Sequence, residues 1–238
     1  MSLSILIPLK NEENIIDETI QNLFNSWLTN IDFELIIIND FCTDKTVEKI
    51  NFFKKKYFNI KIINNSKPGL GSAINKGIEN ASKIFTTIYM ADLSDDVNDL
   101  QTYYKLMSNQ KEIDCIFGSR FLKQSKITNY PYIKLLLNRI ANNLIKVIFF
   151  TKYNDFTNSF KMYKTSVLLE LFPIVSENFN VFLEIPLKII SRKYNFIIIP
   201  ISWTGRKKGV SKFNIRELTS KYIFTMLYCL LEKILLKK

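Results

Sequence analysis

Histidine is missing from all 238 residues. Its absence excludes Ser-His-Asp triads, imidazole general bases and His-ligated metals, and leaves Asp, Glu, Lys, Arg, Ser, Thr and metal-bound groups for chemistry. Cysteine is scarce: Cys42, Cys115 and Cys229 lie far apart without metal-ligand spacing, and their odd number argues against a disulfide framework and for a reducing compartment. Long apolar runs are lacking as well. The first, Leu3 to Pro8, has no basic leader and meets charge at Lys10, so it reads as a buried strand and not as a secretory signal. The uncharged stretch Tyr222 to Leu231 falls well short of the roughly 20 apolar residues a bilayer span needs. No repeat or low-complexity tract occurs, and no glycine spacing matches a P-loop or a dinucleotide fingerprint.

What the chain does have is positive charge. A formal net charge of +11 implies an anionic partner, whether nucleic acid, anionic lipid or a phosphorylated substrate. The basic residues are scattered and no stacking-aromatic motif accompanies them, which counts against a nucleic-acid-binding module. The length suits one catalytic domain over residues 1–216, followed by a C-terminal amphipathic helix over 217–238. That helix, basic at its end and rich in Leu, Phe and Tyr, is expected either to pack or to lie on an anionic membrane surface.

Apolar runs of strand length alternate with helix-period segments through the first half: Leu3 to Pro8, Phe33 to Ile38, Ile60 to Ile63, Ile84 to Met90 and Ile113 to Gly118, with helices near 12–28, 44–57, 70–82 and 97–109. This order predicts an α/β fold with a mostly parallel central sheet covered by helices on both faces. The second half holds helices at Pro131 to Phe150, near 165–171 and near 180–193, and a strand at Phe196 to Pro200. The first of these carries a polar stripe of Lys134, Asn138, Asn142 and Lys146 on an apolar helix, as in a core helix under the sheet or an interfacial membrane helix.

In such sheets ligands bind beyond the carboxyl ends of strands. Four polar clusters stand there: Lys10 to Glu13, Asn39-Asp40, Asp92 to Asp96 and Gly118-Ser119-Arg120. Asp92 directly follows a buried-looking run, where a carboxylate can hold a divalent cation that bridges diphosphate oxygens. Asp95 and Asp96 also suit an N-cap and first helical turn. Lys67 to Ser72 is a glycine-rich turn before a helix, placing Gly71 where backbone amides could meet a phosphate. The basic segment Trp203 to Lys212 is dense enough to clamp a diphosphate through Arg206 and Lys212.

Taken in order, these segments resemble family 2 glycosyltransferases, in particular the dolichyl-phosphate mannose synthase-like branch. Ile5 to Pro8 with Asn11-Glu12-Glu13 is similar to the opening strand and its nucleotide-contacting turn, so Pro8 and Glu12 become donor-site residues. Asn39 to Thr46 stands where the family has D-D-G-S-x-D-x-T, with the second aspartate kept as Asp40. Gly69 to Gly77 is similar to R-G-x-G-x-A-x-N-x-G, Met90 to Asp96 occupies the D-x-D-L-Q-D place, and Gly118 to Phe121 matches G-S-R-[FY]. Asp155 to Lys161 resembles D-x-x-S-G-F-[RK], and Arg206 to Lys212 resembles R-x-x-G-x-S-K.

The resemblance implies a GT-A fold and inverting transfer of a sugar from a UDP- or GDP-linked donor to a lipid phosphate or a glycan. It implies a divalent cation, Mg2+ or Mn2+, on Asp92. Met90 replaces the first aspartate and Ser94 the glutamine, so Asp95 is the expected compensating ligand. Arg120 and Arg139 are expected to hold an anionic acceptor by bidentate hydrogen bonds. Were the acceptor a sugar hydroxyl, Asp155 or Glu184 would be the base, each with an ordinary alternative as a loop cap or a helix-surface carboxylate. The expected location is cytoplasmic, peripheral to the inner face of the cytoplasmic membrane. A nucleotidyltransferase is disfavoured because Lys10 to Glu13 has no glycine after the first strand. Met90 and Ser94 also leave room for a catalytically impaired scaffold that binds nucleotide sugar.

Overall fold

A strand covered on both faces needs apolar residues at every position, and β1 (Ser2–Leu9) is buried from Leu3 to Leu9 in the computed structural model. The structure describes residues 1–206 and 215–235, and of 215–219 the backbone alone. The further strands are β2 (Asp32–Asn39), β3 (Ile60–Asn64), β4 (Phe85–Ile88), β5 (Cys115–Ser119), β6 (Lys126–Thr128), β7 (Lys161–Lys164), β8 (Phe196–Pro200) and β9 (Ser202–Thr204). The helices are α1 (Ile16–Phe24), α2 (Thr46–Lys56), α3 (Leu70–Asn80), α4 (Val97–Asn109), α5 (Tyr132–Ile148), α6 (Thr165–Glu170), α7 (Val181–Ser191) and α8 (Ile215–Leu235).

Seven strands form the central sheet in the order β3-β2-β1-β4-β7-β5-β8, and a separate ribbon pairs β6 with β9. All pairings in the large sheet are parallel except those of β7, which runs antiparallel between β4 and β5. The period of two along a strand sorts side chains to the two faces. Leu3, Ile5, Ile7 and Leu9 meet α1, α2 and α4 through Ile20, Phe53 and Met107, whereas Leu6 meets α3 and α7 through Ile74 and Leu183. The expected mostly parallel, two-faced α/β sheet is what the chain forms. β7 and the β6–β9 ribbon have no counterpart in the sequence reading, because Lys161-Met162-Tyr163-Lys164 and its neighbours lack an apolar run.

Helix α5 is inverted. Asn142 is fully buried, while Ile133, Leu136, Ile140, Leu144 and Val147 are exposed. Asn138 and Asn142 of the polar stripe tie a loop, while Lys134 at its start stays exposed: Asn142 Oδ1 accepts from Phe156 N at 2.6 Å, and Thr157 Oγ1 donates to Asn138 Oδ1 at 3.0 Å. Of the two readings left open for this helix, burial under the sheet is not what the fold shows. Helix α8 begins at Ile215 and packs on α7, with Thr225 and Cys229 fully buried. Among the described residues no helix is long and apolar enough to cross a membrane.

The glycine-rich turn before α3 has a packing purpose, which corrects the expectation that Gly71 meets a phosphate. Gly71 N donates to the Glu177 carbonyl at 2.9 Å, and Gly69 N donates to the Asp40 carboxylate at 3.0 Å. A Cβ on Gly71 would stand 2.1 Å from the Ser176 carbonyl oxygen, and Gly69 holds φ at 139°. The helix N-terminus is thus closed by protein carbonyl. Gly71→Ala is expected to cost about 1–3 kcal/mol through overpacking, read as a lower urea midpoint at unchanged m-value. Ser72→Ala, one position on, should leave the midpoint nearly unchanged, and equal losses would show that the close approach at Gly71 does not matter.

Candidate active site at the carboxyl edge of the sheet

The loops leaving β1, β2 and β4 converge on one sheet edge. Each turns through a non-glycine residue in the left-handed region: Asn11 (φ 53), Phe41 (φ 57) and Leu93 (φ 56). Such conformations cost roughly 1–3 kcal/mol each and gather at functional sites. Phe41 and Leu93 did not emerge as site residues from the sequence. The available signal was Phe41 standing where the resembling family has glycine.

Three charged side chains meet at this edge. Arg206, just after β9, places NH2 3.1 Å from Glu12 Oε1 and Nε 3.3 Å from Asp92 Oδ2. All three are mostly buried, with side-chain exposures of 22%, 11% and 15% for Arg206, Glu12 and Asp92. Glu12 is fixed at its backbone, whose N–H donates to Thr46 Oγ1 at 2.8 Å. Asp92 Oδ1 accepts from Ser94 N at 3.1 Å, so this aspartate closes its own turn as well as meeting Arg206. Asp96 is the N-cap of α4, accepting from Asn98 N at 2.8 Å.

Asp95 is 4% exposed, and neither of its carboxyl oxygens has a hydrogen-bond partner among the described residues. Burial first, and then the charge of Asp92, push its pKa well above the usual carboxylate range, against the opposing charges of Arg120 and Lys161. It forms no part of the cleft wall to which Asp92 and Ser94 contribute. As a second metal ligand, the role expected of it, Asp95 would have to reach a cation at Asp92 from a buried position outside the cleft lining.

The adjoining side of the cleft is built on a buried ion pair. Asp155, fully buried, takes Arg120 Nε at 2.8 Å, NH2 at 2.7 Å and the Arg120 backbone N–H at 2.8 Å. Burial works against the guanidinium charge, but Asp155 outweighs it and raises the Arg120 pKa further. The guanidinium carbon lies 5.4 Å from the Trp203 ring and 5.7 Å from the Tyr130 ring. Lys161, also buried, donates to the carbonyls of Phe156 and Asn158, and burial pulls its pKa down to about 7. These contacts hold the 155–159 loop, whose Thr157, Asn158 and Ser159 line the cleft.

The cleft has a volume of 580 Å³. Its sheet-side wall carries Met90, Asp92, Ser94, Arg120 and Trp203, and its helical walls are largely apolar, with Leu137 and Leu144 of α5 and Ile223 and Met226 of α8. Asp92 is the one carboxylate among the described residues that line it.

Several expected site residues are committed to partners within the protein or stand outside the cleft wall. Asp155 is corrected from base to loop anchor by its three bonds to Arg120. Glu184 is fully buried, accepts from Val175 N at 2.9 Å and Ser176 N at 2.7 Å, and pairs with Lys188 at 3.0 Å. It is therefore neither a base in the cleft nor a helix-surface carboxylate. Arg120 is committed to Asp155 through two nitrogens. Arg139 is exposed on α5, its guanidinium carbon 5.8 Å from the Phe121 ring and outside the cleft wall. Pro8 is buried in β1 opposite Ile38. Asp40, 5% exposed, accepts from Asn65 Nδ2 at 2.8 Å as well as from Gly69 N, joining the β2 loop to the start of α3. Lys212 lies outside the described residues.

A hard divalent cation needs oxygen ligands. Among the described residues no group of three or more acidic or thiol side chains converges. Glu12 and Asp92 nevertheless already enclose a cationic group, the Arg206 guanidinium, which makes this the position where protein carboxylates suit positive charge. A cation here would be held by Asp92, with the remaining oxygens supplied by a bound diphosphate.

The model of glycosyl transferase family 2 matches residues 4–172. A dolichol-phosphate mannosyltransferase of Pyrococcus furiosus is 28% identical over 219 residues, which are 89% of this chain and 59% of that protein. The chain thus spans about three fifths of that relative's length. A dolichyl N-acetyl-alpha-D-glucosaminyl phosphate glucuronosyltransferase of Methanococcus voltae is 32% identical over 122 residues, 49% of this chain and 38% of that protein. In fold, the chain is similar to glucosyl-3-phosphoglycerate synthase from Mycobacterium tuberculosis in complex with UDP, with a TM-score of 0.72 at 14% identity, covering 96% of this chain and 80% of that one. The same enzyme with Mn2+, UDP and phosphoglyceric acid matches with a TM-score of 0.72, at 14% identity over 96% of this chain and 78% of that one.

The role of Asp155 is open to direct test. Asp155→Asn leaves the Arg120 guanidinium buried without its counter-charge and should cost about 3–5 kcal/mol, measured by chemical denaturation. A variant with wild-type stability and no turnover would instead restore Asp155 as a base.

Proposed function

The chain belongs to glycosyl transferase family 2, and on that premise we propose that it moves a sugar, with inversion, from a UDP- or GDP-linked donor to a polyprenyl phosphate at a membrane surface. One observation carries the acceptor: the cleft joins a single carboxylate to long apolar walls. A sugar hydroxyl needs a base to take its proton, and neither Asp155 nor Glu184 reaches the cleft. A lipid phosphate, with a second pKa of about 6, arrives ionised and needs none. The names of the Pyrococcus and Methanococcus relatives, both dolichol-linked, favour the same class. The proposed place of work is the inner face of the cytoplasmic membrane.

In this reading an acceptor phosphate oxygen attacks the anomeric carbon. The bond from that carbon to the nucleoside diphosphate breaks, and its electron pair leaves with the diphosphate. When bound, a divalent cation, Mg2+ or Mn2+, supplies charge to the diphosphate oxygens. Asp92 holds that charge in place, and Glu12 keeps Arg206 aimed at the same position. Arg206 then stabilises the leaving diphosphate by bidentate hydrogen bonds. Lys212 is assigned a second contact to it on the sequence resemblance. Trp203 and Arg120 shape the acceptor side, the latter through its loop.

Charge that develops in the transition state makes Arg206 matter more for turnover than for donor affinity. Arg206→Ala should lower kcat by about a hundredfold or more with a smaller change in donor KM, and Arg206→Lys should recover part of it. Lys55→Ala, which removes an exposed charge from the end of α2, should leave kcat unchanged. The assay is transfer from UDP- and GDP-sugars to a detergent-solubilised polyprenyl phosphate. Equal loss in the Lys55 variant, or none in either, would overturn the role of Arg206. Donor binding without transfer to any acceptor would favour the scaffold reading.

A further inference from the structure

The cleft lies to one side of Asp92, toward Arg120 after β5 and the walls of α5 and α8. In the sheet order β3-β2-β1-β4-β7-β5-β8, the end of β2 is on the other side of the cluster of Glu12, Arg206 and Asp92. A donor with its diphosphate at that cluster and its sugar toward the cleft carries its nucleoside over β2, one strand spacing of about 4.8 Å beyond β1. Phe41 stands there, two residues past the end of β2.

Phe41 combines two features that folding alone does not reward. It is 47% exposed, so much of its apolar area stays in water. Its backbone is left-handed, with φ 57, a conformation that glycine takes freely and a bulky residue only at a cost. The loop holds it there nonetheless: Asp40 N donates to the Leu9 carbonyl at 2.8 Å, and Cys42 N donates to Asn39 Oδ1 at 2.9 Å. Thr43 N donates to Asn11 Oδ1 at 2.8 Å and Asn11 Nδ2 to Thr43 Oγ1 at 3.2 Å, which ties this loop to the β1 loop that carries Glu12. The residue is thus fixed in register with the charged cluster. Phe150 is also exposed and left-handed, but it closes α5, where Thr151 N donates to the Lys146 carbonyl at 3.2 Å and such a residue is the ordinary helix stop. No helix ends at Phe41.

We infer that the Phe41 ring is the platform on which the nucleobase of the donor stacks. The inference rests on the nucleotide-sugar reading and deepens it, since it assigns the base a binding residue that neither the charged cluster nor the cleft supplies. A base laid on the ring covers apolar surface that the fold leaves wet. Every base has a π face, so the contact serves UDP and GDP alike. The cost of a left-handed aromatic residue is then offset by a ligand contact and not by the fold.

The test is calorimetric titration of the 238-residue chain with UDP, GDP and inorganic diphosphate, each at the same fixed concentration of Mg2+. Phe41→Ala should raise the Kd of the nucleotide that the parent binds by roughly five- to a hundredfold, the range for loss of one base-stacking ring. The Kd of diphosphate, which has no base, should not change. Phe41→Tyr, which keeps a ring, should bind the nucleotide within about twofold of the parent. Phe58→Ala, at a residue 99% exposed just before β3 and so at the opposite edge of the sheet, should bind as the parent does. Circular dichroism checks that each variant folds. Unchanged nucleotide affinity in Phe41→Ala, an equal loss for diphosphate, an equal loss in the Phe58 variant, or a tyrosine variant as weak as the alanine one would overturn the role of Phe41 and leave the donor reading standing. A parent that binds neither UDP nor GDP would overturn the donor reading, and the inference with it.

Discussion

Arg206 reaches Glu12 across 194 positions of sequence and Asp92 across 114, and the ends of β1, β4 and β9 meet through that guanidinium. Two carboxylates brought this close repel each other strongly where water is scarce, unless a cation stands between them. The single positive charge therefore lets the acidic edge of the sheet assemble before any ligand arrives. It also sets what the edge can accept. In the proposed reaction a diphosphate with its divalent cation would bring both signs of charge, so that the carboxylates and the guanidinium could each keep a partner of opposite charge.

The adjoining side of the cleft follows a different rule. There the buried charges satisfy one another inside the protein: Asp155 binds Arg120, and Lys161 holds two carbonyls of the same loop. These groups are spent on shape. They fix the 155–159 loop against Asn138 and Asn142 of α5, and that attachment turns the apolar residues of α5 outward. Loop anchoring and the exposed apolar face are two results of one polar stripe. In the proposed reaction this division puts exchangeable charge where the leaving group would depart and fixed charge where a hydrocarbon chain would fit.

The sheet was legible because strands buried on both faces need unbroken apolar runs, and β1, β2 and β5 have them. β7 was not, since Lys161-Met162-Tyr163-Lys164 is buried through specific bonds of its lysines and carries no pattern. In α5 the period showed one polar and one apolar stripe, but periodicity is silent on which side meets the protein. Glu12, Asp92 and Arg206 stood out because their order along the chain resembles a known family, and the fold brings the three together at one sheet edge. Asp155 and Glu184 were left between catalytic and structural roles for a shared reason. A carboxylate in a loop or helix has the same letter whether it serves as base or as anchor, and the deciding partners, Arg120 and the amides of Val175 and Ser176, come together only in three dimensions. Gly71 likewise marked a close approach of backbone to backbone in place of a phosphate cradle.

That Asp92 and Arg206 form the donor diphosphate site is most directly tested by thermal unfolding with UDP- and GDP-sugars, each with and without Mg2+ or Mn2+. A ligand present at about 100 times its Kd should raise the unfolding temperature of a domain of this size by roughly 5–10 °C. The account predicts such a rise for at least one nucleotide sugar, dependent on the cation and lost in Asp92→Asn. No rise with any of them, or an undiminished rise in the Asp92 variant, would contradict it.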